Sequence, residues 1–173
     1  MKKKKTEETK SKEIITPVSI DYIYVSDEYS ERNLKMINAV NPIDQTIQPS
    51  ANVIFTGSNV RTNACGCHGW LSHNDNSGLF TLTKPGIYKI HFNANVAPTV
   101  AGAITLNITN AGENIAGGEM KATGTTVGTF ENVDAEVLVR VPCNSSVVIT
   151  IKDNTATNPI TVSQPSLTIT REC

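Results

Sequence analysis

The sequence predicts an all-β domain built as an antiparallel sandwich, and three observations support this prediction. Short segments alternate between apolar and polar residues, as at Val137, Val139 and Val141, which is the period of a half-buried strand. Turn-forming residues separate these segments, for example at Lys84-Pro85-Gly86. Helical periodicity is confined to one short stretch before residue 41. Many short strands without intervening helices are typical of two packed sheets.

The predicted strands all follow from alternation or from β-branched and aromatic composition. After residue 51 they lie at 52–56, 79–83, 87–97, 103–109, 135–141, 147–152 and 166–171. Polar turns are predicted between them at 74–78, 84–86, 111–114, 142–146 and 153–159. A further short strand is predicted at 19–25 in the N-terminal part of the chain.

One short helix is predicted at residues 26–40. Ser26 suits the N-cap, and Leu34, Ile37 and Val40 would share one helical face. Asn41-Pro42 would end the helix, because the residue before proline disfavours helical backbone angles.

The length of 173 residues and the hydrophobic content of 39% suit a single buried core with a terminal extension. We expect residues 1–13 to form a disordered basic tail, 14–50 an N-terminal attachment segment, and 51–173 the folded domain. Deletion of residues 1–47 is therefore expected to leave the domain intact. The tail contains six Lys and three Glu, leaving nine basic and thirteen acidic residues in the remainder.

Charge and hydropathy exclude several classes of partner. The chain has 15 basic and 16 acidic residues, whereas nucleic-acid binding usually needs a broad basic surface. A signal peptide needs about 7–15 apolar residues after its basic start, but residues 6–13 are polar. The sequence therefore predicts neither a nucleic-acid partner, nor a secretion signal, nor a membrane span.

One segment carries a family resemblance. Phe80 precedes Gly86, and Tyr88, Ile90 and Phe92 then alternate along the next strand. This spacing resembles the central signature of the tumour necrosis factor-like superfamily and of complement globular heads, with Ile90 replacing an aromatic residue. The hydrophobic hairpin at 135–151 and the strand at 166–171 also resemble the family, the latter being similar to the closing strand of bacterial and phage members.

The resemblance covers residues 50–171 and implies a jelly-roll fold that assembles as a homotrimer. In that family, three jelly rolls pack around a three-fold axis that aromatic and aliphatic side chains fill. The resemblance therefore assigns Phe80, Gly86, Tyr88, Ile90 and Phe92 to the core and trimer signature.

Cysteine and histidine side chains are concentrated in one segment. Cys65, Cys67, His68 and His73 lie within nine residues, and thiolate and imidazole are the ligands that zinc prefers. However, paired zinc ligands are usually separated by about two to four residues, and only Gly66 separates these cysteines. A zinc site, a nearby disulfide and free thiols are the alternatives, and the spacing favours free thiols. The pairing of Cys143 and Cys173 stays open.

The same segment is the candidate surface-binding loop. His68, Trp70, His73 and Asp75 would form a platform for a sugar or receptor at a loop tip. Core packing is the alternative, and commoner, role of a lone tryptophan. The run at 74–78 carries oxygen donors but lacks the closing acidic residue of a calcium loop, so a hairpin turn is predicted there.

No catalytic motif occurs in the sequence. It contains no Gly-x-Ser-x-Gly elbow, no His-Glu-x-x-His helix and no phosphate-binding loop. His91, the remaining histidine, would face away from the aromatic residues of its strand. We therefore expect no enzymatic activity and no cofactor.

A phage virion protein best combines a trimeric jelly roll with the absence of a recognisable secretion signal. We expect a head fibre or capsid-decoration protein on the virion surface, attached to a capsid protein through residues 1–50. A host-surface glycan or protein is the further partner expected. The alternatives are a trimeric protein of a bacterial cell or spore surface, which lacks the expected collagen-like stalk here, and a secreted receptor- or sugar-binding ligand.

Overall fold

The computed structural model describes residues 35–61 and 69–172, and every regular element within these ranges is a β-strand. The strands are β1 (Lys35–Val40), β2 (Gln45–Ile47), β3 (Gly57–Arg61), β4 (Leu71–Ser72), β5 (Phe80–Leu82), β6 (Gly86–Pro98), β7 (Gly102–Asn110), β8 (Glu113–Gly124), β9 (Glu131–Val141), β10 (Val147–Asp153) and β11 (Ile160–Arg171). No helix in this part of the chain has the length and apolar character needed to cross a membrane.

The strands form two sheets in a jelly-roll arrangement. Sheet A has the order β3-β1-β11-β6-β9, with β2 also paired to β11, and sheet B has the order β4-β5-β10-β7-β8. All pairings are antiparallel. Strands distant in sequence are neighbours in space, because the chain crosses repeatedly between the sheets. The prediction of an antiparallel jelly-roll sandwich is confirmed.

Apolar side chains from both sheets fill the space between them. Tyr88, Ile90 and Phe92 of β6 are completely buried, as are Ile149 and Ile151 of β10. The intervening side chains of these strands are less buried in most positions. The core therefore follows from the period-two alternation read in the sequence.

Residues 35–40 form a strand, so the predicted helix at 26–40 is wrong in this part. β1 pairs with β11 from Lys35 opposite Arg171 to Val40 opposite Ser166. Ile37 and Ala39 point into the core and Asn38 points outward. This tertiary pairing overrides the weak helical pattern, because local propensity is worth less than core burial. Residues 26–34, including Ser26 and Leu34, lie outside the described residues.

The jelly roll extends further toward the N-terminus than predicted. β1 and β2 are integral to sheet A, and Ile37, Ala39 and Ile47 belong to the core. The boundary at residue 51 is therefore too late, and residues 35–50 are not a separate attachment segment. The predicted tail at 1–13 and the predicted strand at 19–25 lie outside the described residues.

The sequence interpretation missed β8 and placed a strand at 52–56 that is absent. β8 has three glycines and, apart from buried Met120, few large apolar side chains facing the core, so it shows no clear alternation. At Gly124 a Cβ atom would collide with the ring of Pro98, which leaves no space for a side chain. Residues 52–56 form only single bridges, from Asn52 to Lys152 and from Phe55 to Ser77.

Candidate functional site

The signature residues form the core of a single jelly roll. Phe80, Tyr88, Ile90 and Phe92 are completely buried within one chain, so their side chains are not available to line an axis between copies. Gly86 begins β6 with a φ of 152°, a backbone angle that residues with a Cβ rarely adopt. The tyrosine hydroxyl donates a hydrogen bond to the Lys84 carbonyl over 2.7 Å, which closes the turn before β6.

Trp70 and His73 lie in the core, so the prediction that they belong to a surface-binding loop is wrong. Trp70 is 2% exposed and stacks on Tyr88 with ring centroids 5.9 Å apart. His73 is 4% exposed, stacks on Phe80 and lies with Nδ1 3.0 Å from the Leu79 carbonyl oxygen. Large aromatic rings gain more from apolar burial than from exposure at a loop tip. Asp75 is exposed as predicted.

The metal alternative is tested only in part. Cys65, Cys67 and His68 lie outside the described residues, and His73 packs its ring against Phe80. Residues 35–61 and 69–172 contain no group of three or more His, Cys, Asp or Glu side chains that could hold a metal ion. Cys143 is an exposed free thiol.

The outer face of sheet A is an extended surface with polar side chains from four neighbouring strands. We define it as the side chains of β1, β11, β6 and β9 that point away from the core. Neutral hydroxyl and amide groups dominate its centre. Its central residues are Asn38, Ser166, Thr168, Thr170, His91, Asn93, Asn95 and Asn132, with Lys89 of β6 and Asp134, Glu136, Leu138 and Arg140 of β9 toward the edge.

Hydrogen bonds hold these polar side chains against the sheet. Asn38 Nδ2 donates to Ser166 Oγ over 2.9 Å and to Thr168 Oγ1 over 3.0 Å. Asn132 Nδ2 donates to Asn95 Oδ1 over 3.2 Å. These bonds cross between neighbouring strands, so they order the side chains and reduce the side-chain entropy that an arriving partner would have to remove.

One ion pair lies on the same face. Lys89 Nζ is 3.0 Å from Glu136 Oε2, and the hydrogen bond and charge of Glu136 raise the pKa of Lys89. Both side chains are nearly half exposed, so this pair contributes little to stability. It does cancel charge locally and leaves this part of the face close to neutral.

Two long edge strands border this face. β9 is the last strand of sheet A, β8 is the last strand of sheet B, and the two lie beside each other across the sandwich. Leu138 of β9 is 66% exposed, and Phe130 just before β9 is 44% exposed. A long edge strand with exposed apolar residues can associate with another chain unless another element covers it.

A cavity of about 210 Å³ lies at one end of the sandwich. It is enclosed by the β6–β7 loop and by the β10–β11 loop, and its walls include Pro98, Ile104 and Ile160. We call it the end cavity.

Asp153 lies at the end of β10, just before the β10–β11 loop, and is completely buried. Its Oδ1 accepts a 2.7 Å hydrogen bond from the Thr155 N–H. Burial raises the pKa of Asp153 despite this bond.

Sequence interpretation missed both the outer face and the end cavity. Alternation showed which residues of β6 and β9 point outward, but strand order was needed to place them on one face. The end cavity is lined by residues near 100 and near 157. The composition of the two turns does not predict that they lie next to each other. Pro159, at the end of the turn predicted at 153–159, and Pro98, just after the strand predicted at 87–97, were the available signals.

No protein-family model and no curated protein matches this sequence. Solved structures do match its fold. The globular domain of zebrafish Complement 1qA protein superposes with a TM-score of 0.59 at 12% identity, over 80% of this chain and 98% of that one. Eiger TNF from S. frugiperda gives 0.57 at 9% identity, over 82% and 94%. Murine APRIL at pH 5.0 gives 0.56 at 10% identity, over 79% and 98%. This chain therefore has the jelly-roll fold of tumour necrosis factor-like and complement globular-head proteins.

Proposed function

We propose that the protein is a homotrimeric, non-catalytic binding head that serves as a structural protein of a virion, as a head fibre or capsid decoration. The observation that carries the trimer is the combination of an outer face of sheet A rich in hydroxyl and amide groups with the long edge strands β8 and β9. Each copy would cover its edge with the outer face of the next copy. A rotation that repeats this contact three times closes into a ring.

The strand register predicts which residues would meet in the proposed trimer. A three-fold axis parallel to the strands keeps every residue at the same height, so a row of the sheet in one copy faces the same row in the next. Leu138 shares its row with Lys89, Thr170 and Met36. Leu138 of one copy is therefore expected to pack near Thr170 and Met36 of the next, which would bury an apolar side chain that is 66% exposed in a single chain.

The arrangement of reactive side chains supports a binding role over catalysis. Among the described residues, His73 is stacked in the core and His91 lies on the outer face of sheet A beside Glu136 and Thr168. The described residues contain no cluster of acidic, histidine and cysteine side chains that could hold a metal. The outer face of sheet A presents hydroxyl and amide groups together with the Lys89–Glu136 ion pair and the apolar Leu138, and such a mixture suits recognition.

Attachment to a particle is assigned to residues 1–34. Lys2, Lys3, Lys4 and Lys5 would attract an acidic capsid surface, and Ile20, Tyr22 and Tyr24 would supply apolar contact. Bacterial cell- or spore-surface attachment is the alternative, and the same N-terminal residues would serve it. Mass spectrometry of purified particles from the source culture separates these roles: the protein should co-purify with capsid protein, and its recovery only from cell or spore surfaces would reject the virion role.

Cross-linking tests the trimer and its register together. With the four native cysteines replaced by serine, Leu138→Cys combined with Thr170→Cys should give disulfide-linked trimers under mild oxidation, because the two positions face each other between copies. Light scattering of the unlinked chain should give three times the monomer mass.

The matched control combines Leu138→Cys with Ser72→Cys, since Ser72 is exposed on β4 at the opposite edge of sheet B. This pair should not cross-link specifically. A monomeric mass at micromolar concentration would reject the trimer. A trimeric mass with equal cross-linking of both pairs would reject the register while leaving the trimer in place.

A further inference from the structure

We propose that the end cavity is a binding site for a single neutral sugar ring. The proposal takes its biological meaning from the proposed binding head, but its chemistry rests on residues that lie within one copy. The cavity is distinct from the segment around residue 68 that the sequence suggested for glycan binding. Four properties of the cavity carry the proposal: rigidity, size, lack of charge and the polar groups in its lining.

The two loops that enclose the cavity are tied to each other and to the sheets. Thr99 Oγ1 donates a 2.6 Å hydrogen bond to the Pro159 carbonyl, which joins the β6–β7 loop to the β10–β11 loop. The Thr105 N–H donates to Thr155 Oγ1 over 3.0 Å, and the Asn154 N–H donates to the Thr105 carbonyl over 2.8 Å. These bonds anchor both sides of the cavity, so a ligand would meet a preformed site.

The volume suits one substituted six-membered ring. A dry cavity of about 150 Å³ accommodates benzene, and the end cavity measures about 210 Å³. The additional space allows for ring substituents such as hydroxyl groups. It is smaller than the roughly 300–1,000 Å³ typical of sites for drug-sized ligands. A single sugar unit fits this range, whereas a long oligosaccharide would have to extend beyond the cavity into solvent.

The lining contains both the apolar surface and the polar groups that a pyranose presents to a protein. Val100, which is 53% exposed, and the exposed Ala103 and Ala156 supply the accessible apolar surface on which the C–H face of a sugar packs. Pro98, Ile104 and Ile160 also line the cavity and are buried. Thr157 and Asn158 also line the cavity, and within the described part of the chain their side chains make no hydrogen bond. A hydroxyl and a carboxamide without internal partners are available to bond sugar hydroxyls.

The backbone of β7 adds a further donor and acceptor. Both backbone groups of Thr105 point toward the β10–β11 loop, because its N–H bonds Thr155 and its carbonyl accepts from Asn154. Backbone direction repeats every second residue in an antiparallel strand, so the N–H and carbonyl of Ala103 point the same way. β10 ends at Asp153, opposite Leu106, and so does not reach Ala103. These backbone groups therefore face the cavity, where Ala103 is a lining residue.

The absence of charge selects a neutral ligand. None of the residues lining the cavity carries a charged side chain. Asp153 is the nearest acidic residue along the β10–β11 loop, and it is completely buried and bonded to the Thr155 N–H. Without a cationic group the cavity offers no counter-charge to a sialic or uronic acid. An extended peptide is disfavoured by the small volume of the cavity and by the Thr99–Pro159 bond, which joins its two loops.

Ligand-observed NMR tests the proposal on the intact chain. Methyl glycosides of glucose, galactose and mannose, together with N-acetylglucosamine, should be screened by saturation transfer. Amide shifts of the protein should be followed in parallel. At least one sugar should bind in the millimolar range with shifts confined to the two loops. Asn158→Ala should weaken binding about fivefold, as the loss of one hydrogen bond does. Ala156→Trp should abolish binding by filling the mouth of the cavity.

The matched control is Asn74→Ala, which removes an exposed carboxamide outside the cavity and should leave binding unchanged. Circular dichroism should show that all variants remain folded. Three outcomes would overturn the proposal: no sugar causes shifts in these loops, binding is insensitive to both cavity variants, or only a peptide or a charged sugar binds. Light scattering of the same samples reports separately on the trimer, so failure of the sugar site and failure of the proposed trimer are distinguishable.

Discussion

Single residues in this protein have roles that depend on the sheet face they occupy. Tyr88 and Phe92 point into the core while His91 between them points outward. Trp70 and His73, whose chemistry suggested a binding loop, are instead held by stacking on Tyr88 and Phe80. An aromatic or imidazole side chain can bind a ligand when it is exposed and stabilises the fold when it is buried. Because Trp70 and His73 are buried, they stabilise the fold.

Phe92→Ala should destabilise the fold by roughly 3–5 kcal/mol, because it leaves a cavity in a closely packed core. Phe92 is completely buried between the sheets. Chemical denaturation followed by circular dichroism measures the change. The control is Ile43→Ala, since Ile43 is 67% exposed and its truncation should cost less than about 0.5 kcal/mol. Equal effects of the two substitutions would contradict the assigned register of β6.

Asp153 should make the stability of this protein depend on pH with an unusual sign. Burial raises the pKa of Asp153 above its ordinary value, so the folded state binds a proton more readily than the unfolded state does. Its contribution to stability is then fully present below the unfolded pKa and is lost as the pH rises through the folded pKa. This is the opposite of a salt-bridged carboxylate.

Comparison with Asp153→Asn isolates this effect, because asparagine does not titrate. The free energy of unfolding of the wild-type chain, relative to the variant, should increase as the pH falls through the folded pKa. Urea denaturation at several pH values measures the difference. A pH-independent difference, or one that decreases toward acid, would show that the carboxylate is stabilised as an anion by its Thr155 bonds.

At the scale of elements, strand pairing decides identity where local sequence is ambiguous. β1 has a sequence compatible with a helix, yet it lies between β3 and β11 in sheet A. β8 has almost no alternation, yet it pairs with β7 from Gly102 opposite Gly124 to Asn110 opposite Glu113. In both cases hydrogen bonds and burial from a distant strand supply the stabilisation that the local pattern lacks.

Two truncations test the position of the N-terminal boundary. A chain beginning at Lys35 should fold, because it keeps β1 and β2. A chain beginning at Gln48 should fail to fold, because it loses Ile37, Ala39 and Ile47 from the core and leaves β11 without its β1 partner. Thermal melting and limited proteolysis compare the two. A stable chain beginning at Gln48 would restore the boundary near residue 51 that the sequence suggested.

For the whole molecule, the edge strands β8 and β9 are the elements on which the proposed trimer depends. Leu138 and Phe130 are exposed there. In the proposed trimer, Leu138 faces the residues of the same row on the outer face of sheet A in the next copy. A polar, hydrogen-bonded face also explains how a trimer could form without the aromatic axis that the family resemblance implied, since the aromatic residues of β6 are already used within one chain.

Leu138→Asp should weaken the proposed trimer without unfolding the chain. Loss of one buried leucine contact lowers association by roughly tenfold to a hundredfold per interface, and the added charge is desolvated there. Sedimentation at decreasing concentration measures the shift toward monomer. Leu79→Asp is the control, because Leu79 is 50% exposed before β5 and away from the proposed contact. Equal dissociation of both variants would remove Leu138 from the interface.

The sequence by itself determined the sandwich class, most strands after residue 79 and the core residues of β6, β9 and β10. These depend on period-two alternation and on turn residues, which act over a few positions and are visible locally. The signature from Phe80 to Phe92 also predicted the jelly roll, which the structural matches confirm.

Only the tertiary structure showed that β1 is a strand and that Trp70 and His73 lie in the core. It also revealed the outer face and the end cavity. Each depends on which distant strands or loops lie side by side. Pairing with β11 makes residues 35–40 a strand, and the rings of Trp70 and His73 stack on Tyr88 and Phe80. The end cavity likewise needs Pro98 and Asn158 to meet across 60 residues of chain. Such contacts are stabilised by burial that no local window contains, so no pattern within a single segment predicts them.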